Sequence, residues 1–169
     1  MRCREMVFIA IGGNIPDAHG TPAPDICRAA AAALDGLLGL TTAAVSPWYV
    51  TAPVPPSGQP DYVNAVVALT GTADPAALLA ALQAIEHSAG RVRLAVNGAR
   101  TLDLDIAAMG QLVRATPDPV LPHPRMHLRA FVLAPMADIA PDWRHPVLGQ
   151  TAAALLAGLP WQRQGIRRL

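Results

Sequence analysis

Short apolar, β-prone runs alternate with two stretches of helical periodicity, and this order constrains the fold more than any other feature of the chain. Residues 6–11 are apolar and then broken by Gly12-Gly13-Asn14, which reads as a buried strand ending in a turn. Across residues 24–40, Ile26, Ala30, Ala33, Leu34, Leu37 and Leu38 recur at helical spacing, with Gly39 placed to close the helix. Residues 41–50 are β-prone around Pro47, which suits an edge or bulged strand. A breaker-rich loop, 51–60, leads to a strand at 62–70, with Tyr62 and Asn64 on one face and Val63 and Ala65 on the other. Asp74 and Pro75 then start a helix whose stripe is Leu78, Leu79, Leu82 and Ile85 and whose stop is Gly90. Residues 101–108 are the next strand. After it the pattern predicts a turn and short partner strand at 109–114, an irregular loop or short helix at 121–129, a strand at 131–135 and a last short helix at 151–159.

The order β-α-β-β-α-β predicts an α+β, ferredoxin-like fold: an antiparallel sheet with helices on one face and extra C-terminal elements. The length, 169 residues, suits one domain with a sizeable core, and no repeat or linker divides it. The expected organisation is a single domain over 1–169.

Composition narrows the chemistry. Hydrophobic residues make up 52% and charged residues 15%, which excludes a disordered chain. No apolar run of about 18 residues escapes breakers or charges, so no membrane span is expected. Nothing at the N-terminus resembles a cleavage site, and two ordinary cysteines suggest no disulfide framework; the expected location is the cytoplasm. All 13 basic residues are arginine, so Schiff-base chemistry and a Walker A lysine are excluded. A net charge of +1 and 4% aromatic residues argue against nucleic acid as a partner.

The densest chemistry lies between Arg91 and Asp105, where Arg91, Arg93 and Arg100 precede Asp103-Leu104-Asp105. Guanidinium forks match phosphate oxygens, and paired carboxylates suit a hard cation such as magnesium. On a strand, Asp103 and Asp105 face one way while Leu102, Leu104 and Ile106 face the core. Spacing alone leaves two readings of the arginines: surface cations, or a loop that closes over phosphates. His123, fixed between Pro122 and Pro124, is a candidate donor to phosphate. Tyr62 and Phe131 are packing residues or, paired across a cleft, a clamp for a flat heterocycle. Gln83 and Glu86, three apart on the second helix, share a face.

Six segments carry a resemblance: Ile9-Ala-Ile-Gly-Gly-Asn14, Gln59-Pro-Asp-Tyr-Val-Asn64, Gly90-Arg-Val-Arg93, Gly98-Ala-Arg-Thr-Leu-Asp-Leu-Asp-Ile106, Pro122-His-Pro-Arg125 and Arg129-Ala-Phe-Val-Leu133. In this order they resemble the 6-hydroxymethyl-7,8-dihydropterin pyrophosphokinases of folate biosynthesis. The resemblance implies that Asp103 and Asp105 bind two magnesium ions bridging the ATP phosphates. It makes Arg91, Arg100, Asp103 and Asp105 the catalytic set. It assigns Gln83, Glu86, Arg91, Arg93, Arg100, Ile106, His123 and Arg129 to ATP. It assigns Thr51, Val54, Tyr62, Asn64, Asp103 and Phe131 to the pterin, with the two rings as a sandwich. The implied reaction is in-line attack of the substrate hydroxyl on the β-phosphorus, giving a pyrophosphate ester and AMP; the expected assembly is a monomer.

The chain departs from the family pattern in three places. Val96 and Asn97 stand where a basic and an aromatic residue are common, and Ala99 replaces a proline. Gly13 stands where serine is usual, and Asp118 lies where a basic nucleotide contact would be unsurprising. Two other functions fit parts of the pattern: a non-catalytic nucleotide- or pterin-binding paralogue, and a metal-dependent nuclease.

Overall fold

A computed structural model describes residues 5–90, 98–161 and 165–169. Its strands are β1 (Met6–Gly13), β2 (Thr41–Val45), β3 (Tyr49–Thr51), β4 (Tyr62–Thr70), β5 (Asp103–Met109) and β6 (Arg167–Arg168). Its helices are α1 (Ala23–Ala33), α2 (Pro75–Ser88), α3 (Ala130–Ile139) and α4 (Ala152–Ala157). The strands form one antiparallel sheet in the order β5-β1-β4-β3-β6, with β2 also on β4. The first six regular elements of the expected order are therefore present as a ferredoxin-like core, with the edge segment split in two.

Pro47 causes that split. It has no N–H to give the ladder, and Ser46 repairs the gap: its N–H donates to the Val66 carbonyl at 2.9 Å while its Oγ accepts from Val66 N at 2.9 Å. Strands β2 and β3 thus lie end to end along β4, pairing with its far and near halves.

Strand β1 is central and buried on both faces, which is why its sequence reads as an unbroken apolar run. Val7, Ile9 and Ile11 pack with Ile26, Cys27, Ala30 and Leu34 of the α1 segment and Leu78 and Leu82 of α2. Phe8 faces the other way, into Val66, Ala68, Ala107, Val132, Leu133, Met136 and Leu155. The sheet therefore carries helices on both faces, α1 and α2 on one and α3 and α4 on the other. That corrects the one-sided arrangement expected from the element order.

Three local expectations also change. The first helix stops at Ala33 rather than running to Leu40; Gly36 adopts φ 83° and donates to the Leu40 carbonyl at 2.8 Å, leaving a single 3-10 turn at Leu37–Gly39. Residues 131–135 are helix, not strand. Ala130, Val132, Leu133, Ala134, Pro135 and Met136 are all buried, so α3 shows no polar face by which its period can be read. At 109–114 no regular partner strand forms; β5 ends at Met109, the chain turns at Gly110, and Arg114 makes an isolated bridge with Leu121. The second helix is as expected, with Asp74 Oδ1 accepting from Ala77 N at 2.9 Å and Pro75 in its first turn.

Candidate active site

The register of the sheet builds the floor of the site. Asp103 is paired with Gly12, Gly12 with Asn64, and Asn64 with Tyr49, so these four lie in one row across four strands. One step along, Asp105 pairs with Ala10 and Ala10 with Val66. Cross-strand partners share a face, so both aspartates lie on the α3 side, while Leu104 and Ile106 are buried against α1 and α2. Gly12 is required at the centre of the row: a Cβ there would sit 2.9 Å from Asn64 Oδ1. The Asn64 carboxamide is buried and its Nδ2 donates to Thr51 Oγ1 at 2.8 Å.

Asn14 joins the two loops that border this floor. Its backbone N–H donates to the Arg100 carbonyl and its Oδ1 accepts from Arg100 N, each at 2.9 Å. Its Nδ2 donates to the Pro60 carbonyl at 3.0 Å and to Gln59 Oε1 at 3.2 Å. The Tyr62 hydroxyl lies 3.1 Å from Gln59 Oε1 and 3.3 Å from the Gly98 carbonyl. The sequence alone gives Asn14 and Gln59 no role; the available signal was an asparagine directly after two glycines at the end of an apolar run, and its burial is visible only in the structure. Gly13 belongs to the same clamp, since a Cβ on it would lie 2.5 Å from the Thr101 carbonyl and 3.2 Å from Cys27 Sγ. The loop before β5 thus packs against β1 more closely than a serine at this position allows.

Charges are balanced around the carboxylates. Arg100 Nη1 lies 2.5 Å from Asp103 Oδ2. Arg129 Nη1 is 3.9 Å, and His123 Nε2 4.0 Å, from Asp105 Oδ2. The His123 N–H donates to the Ala107 carbonyl at 2.9 Å, which pins residue 123 to β5. Its Nδ1 accepts from Arg125 N at 3.1 Å, so a neutral ring carries its proton on Nε2, facing the aspartates. Burial, then Arg129 and Arg125, bring its pKa down to about 4. Burial and Arg125 likewise lower Arg129, whose guanidinium stands 5.5 Å from the centroid of Phe131.

The donor set fits magnesium. Two part-exposed carboxylates two residues apart supply hard oxygens. No group of three or more His, Cys, Asp or Glu able to hold a metal occurs among the described residues. A cation held by two carboxylates has its remaining positions left for water and phosphate, as magnesium prefers.

Several residues assigned from the sequence lie elsewhere than expected. Glu86 is buried, and its Oε1 accepts from Leu104 N at 2.7 Å. It is turned from the surface where Gln83 is exposed, because it lies one turn after the buried Leu82. It buttresses the backbone between the two aspartates rather than sharing an outer face with Gln83. The Ile106 side chain is 4% exposed and on the sheet face opposite Asp105, which leaves only its backbone for a ligand. Val54 is 78% exposed in the loop before β4. Arg91, Arg93, Val96 and Asn97 lie outside the described residues.

Fold and site together define an α+β protein with a carboxylate–arginine cluster at one end of a ferredoxin-like sheet. The family model for 7,8-dihydro-6-hydroxymethylpterin-pyrophosphokinase (HPPK) matches residues 8–141, and the chain belongs to that family. It is 44% identical over 165 residues to the 2-amino-4-hydroxy-6-hydroxymethyldihydropteridine pyrophosphokinase of Pseudomonas aeruginosa, covering 98% of this chain and 97% of that one. The protein of the same name from Synechocystis is 40% identical over 148 residues, 88% of this chain and 73% of that one. Among solved structures, Plasmodium falciparum wild-type HPPK-DHPS superposes with a TM-score of 0.73 at 13% identity, over 98% of this chain and 44% of that one. A second crystal structure from that organism, with pterin and p-hydroxybenzoate, gives 0.74 at 12% identity, covering 98% and 47%. At such identity these two show the shared fold alone, and this chain spans under half their length.

Proposed function

We propose that this chain transfers pyrophosphate from ATP to the hydroxymethyl group of 6-hydroxymethyl-7,8-dihydropterin, releasing AMP, in folate biosynthesis. The observation that carries the reading is the row Asp103–Gly12–Asn64. Adjacent strands are about 4.8 Å apart, so Asn64 and Asp103 stand two strand spacings apart with only a glycine between. A bicyclic ring held at its amide edge by Asn64 reaches across Gly12 with its substituent towards the carboxylates. Thr51 orients Asn64, Val54 offers backbone groups, and Tyr62 and Phe131 supply the two ring faces. Asp103 then touches both substrates.

The residues act by placement and charge. Two magnesium ions on Asp103 and Asp105 would screen the polyphosphate and favour in-line attack. Arg100, at 2.5 Å from Asp103, is placed to exchange that carboxylate for a phosphate oxygen. Neutral His123 donates from Nε2 without adding charge, and Arg129 offers a fixed cation beside Phe131. Arg91, Arg93 and Gln83 complete the ATP side in this reading. In this reading the protein is a monomer acting on two small molecules, with no nucleic acid or membrane partner. No helix among the described residues is long and apolar enough to cross a membrane, and the free Cys27 suits the cytoplasm.

Separation of nucleotide products with and without the hydroxymethyl pterin tests this. The expected product is AMP, formed only when the pterin is present; ADP, or no pterin-dependent turnover, would sink the reading. In the same assay Asp105→Asn is expected to lose about 100-fold or more in turnover. Its melting temperature should hold, because Asp105 is part-exposed and the substitution keeps its size and shape.

A further inference from the structure

Outside the phosphate site, Tyr49 on β3, Asp138 on α3 and Arg168 on β6 form a closed polar cluster. The Tyr49 hydroxyl donates to Asp138 Oδ2 at 2.5 Å, and Arg168 Nη2 donates to Asp138 Oδ1 at 2.5 Å. Arg168 Nε donates to the Tyr49 hydroxyl oxygen at 3.2 Å, with the guanidinium 5.9 Å from the centroid of that ring. Both oxygens of one carboxylate are engaged, and three segments far apart in sequence meet on it.

The cluster is joined to the acceptor pocket through the sheet and through the helix. Tyr49 is the register partner of Asn64, and Thr51, on the same face of β3, is the partner of Tyr62. Asp138 follows Phe131 by seven residues, two turns along one face of α3 and about 10 Å away. Beside the cluster lies a cavity of about 390 Å³ lined by Tyr49, Ala134, Asp138, Leu156, Trp161 and Arg168. Apolar packing seats α3 on β1 and β4 through Val132, Leu133 and Met136, whereas beside this cavity its link to β3 is the hydrogen-bonded cluster. The last strand reinforces them, since β6 pairs with β3 through Tyr49–Arg168 and Val50–Arg167.

We propose that the Tyr49–Asp138–Arg168 cluster is a positioning device that sets the width of the acceptor pocket. It adds a fixed link between α3 and β3 to the core packing of α3 on β4, and so sets the position of Phe131 relative to Thr51, Tyr62 and Asn64. A slip of one residue along the helix is about 1.5 Å and about 100° of rotation, enough to turn Phe131 away from Tyr62. The proposal rests on the reading of those four residues as the acceptor pocket. The ATP side depends on it less, because Asp103, Asp105 and His123 are anchored to β5 at the other edge of the sheet and only Arg129 rides on the start of α3.

Calorimetric titration separates these roles. Wild type, Tyr49→Phe, Asp138→Asn and Arg168→Ala are titrated with the unreactive 6-hydroxymethylpterin, each saturated with magnesium and a non-hydrolysable ATP analogue, and separately with the analogue alone. The expected result is acceptor binding weakened about three- to tenfold in each variant, a clearly smaller loss of analogue binding, and partial recovery in Arg168→Lys. Tyr49→Phe combined with Asp138→Asn should lose no more than the worse single variant. A lower melting temperature with both affinities intact, or equal loss of both ligands, overturns the positioning role. Failure of wild type to bind the pterin overturns the pocket assignment itself, and the proposal with it. Tyr49→Phe, which removes one oxygen and no packing volume, serves if Asp138→Asn does not fold.

Discussion

At the scale of single residues, His123 shows how environment decides what a side chain does. The sequence showed its rigid setting between two prolines but not its burial or its partners. Those come from the Ala107 carbonyl, which draws the segment against β5, and from Arg125 N, which occupies Nδ1. The ring thereby enters a site already holding Arg129 and Arg125, where a further positive charge is disfavoured. Its folded pKa, about 4, lies below the ordinary 6.5, so folding favours the neutral form. The stability this gives is present above the unfolded value and is lost as pH falls from about 6.5 towards 4. Proton NMR titration of the metal-free protein should show one imidazole with a midpoint near 4, assigned by its absence in His123→Gln. A midpoint at or above 6.5 would mean that the ring is not buried as described. Asp103 and Asp105 were the more legible residues, because strand alternation alone puts them on one face. Glu86 was not: whether a helix residue beside the apolar stripe turns inward depends on the neighbouring backbone, here Leu104 N, which the sequence does not display.

At the scale of elements, legibility follows how much polar contrast each segment keeps. Helix α2 has a cap, a stripe and a stop, and was readable. Helix α3 is buried on nearly every side, and its sequence therefore reads as a strand. The pair Gly12-Gly13 looked like a turn, yet both stay within β1. They are glycines because neighbours approach them closely: Asn64 Oδ1 at Gly12 and the Thr101 carbonyl at Gly13. Gly12→Ala tests the use of that space. The methyl group must push the Asn64 carboxamide off its bond to Thr51, a repacking that costs roughly 1–3 kcal/mol. The KM for the pterin should rise about tenfold or more while the KM for ATP stays near that of wild type. An unchanged pterin KM would show that Asn64 does not hold the substrate across Gly12.

For the molecule as a whole, the ferredoxin-like order was legible but the second helical layer was not, because recognising it required α3. With both layers in place, the high apolar content has a physical use: β1 lies between two cores. Leu82, fully buried, belongs to the core under α1 and α2, and Leu133, also fully buried, to the core under α3 and α4. Both cores include residues of β1, β4 and β5, so neither has a sheet of its own. Loss of either should therefore weaken one shared folding unit. Leu82→Ala and Leu133→Ala are each expected to cost about 2–5 kcal/mol. The two layers carry separate optical probes: Trp48 packs against the first core, and Trp143 stacks edge-on to Phe8 in the second at 5.8 Å. Urea unfolding followed by circular dichroism and by the fluorescence of Trp48→Phe and Trp143→Phe proteins, each also carrying Trp161→Phe, should give coincident curves. In each leucine variant those curves should move together to lower urea. Two resolved transitions, one per tryptophan, would show that the helical layers unfold independently and that residues 1–169 are not one cooperative domain.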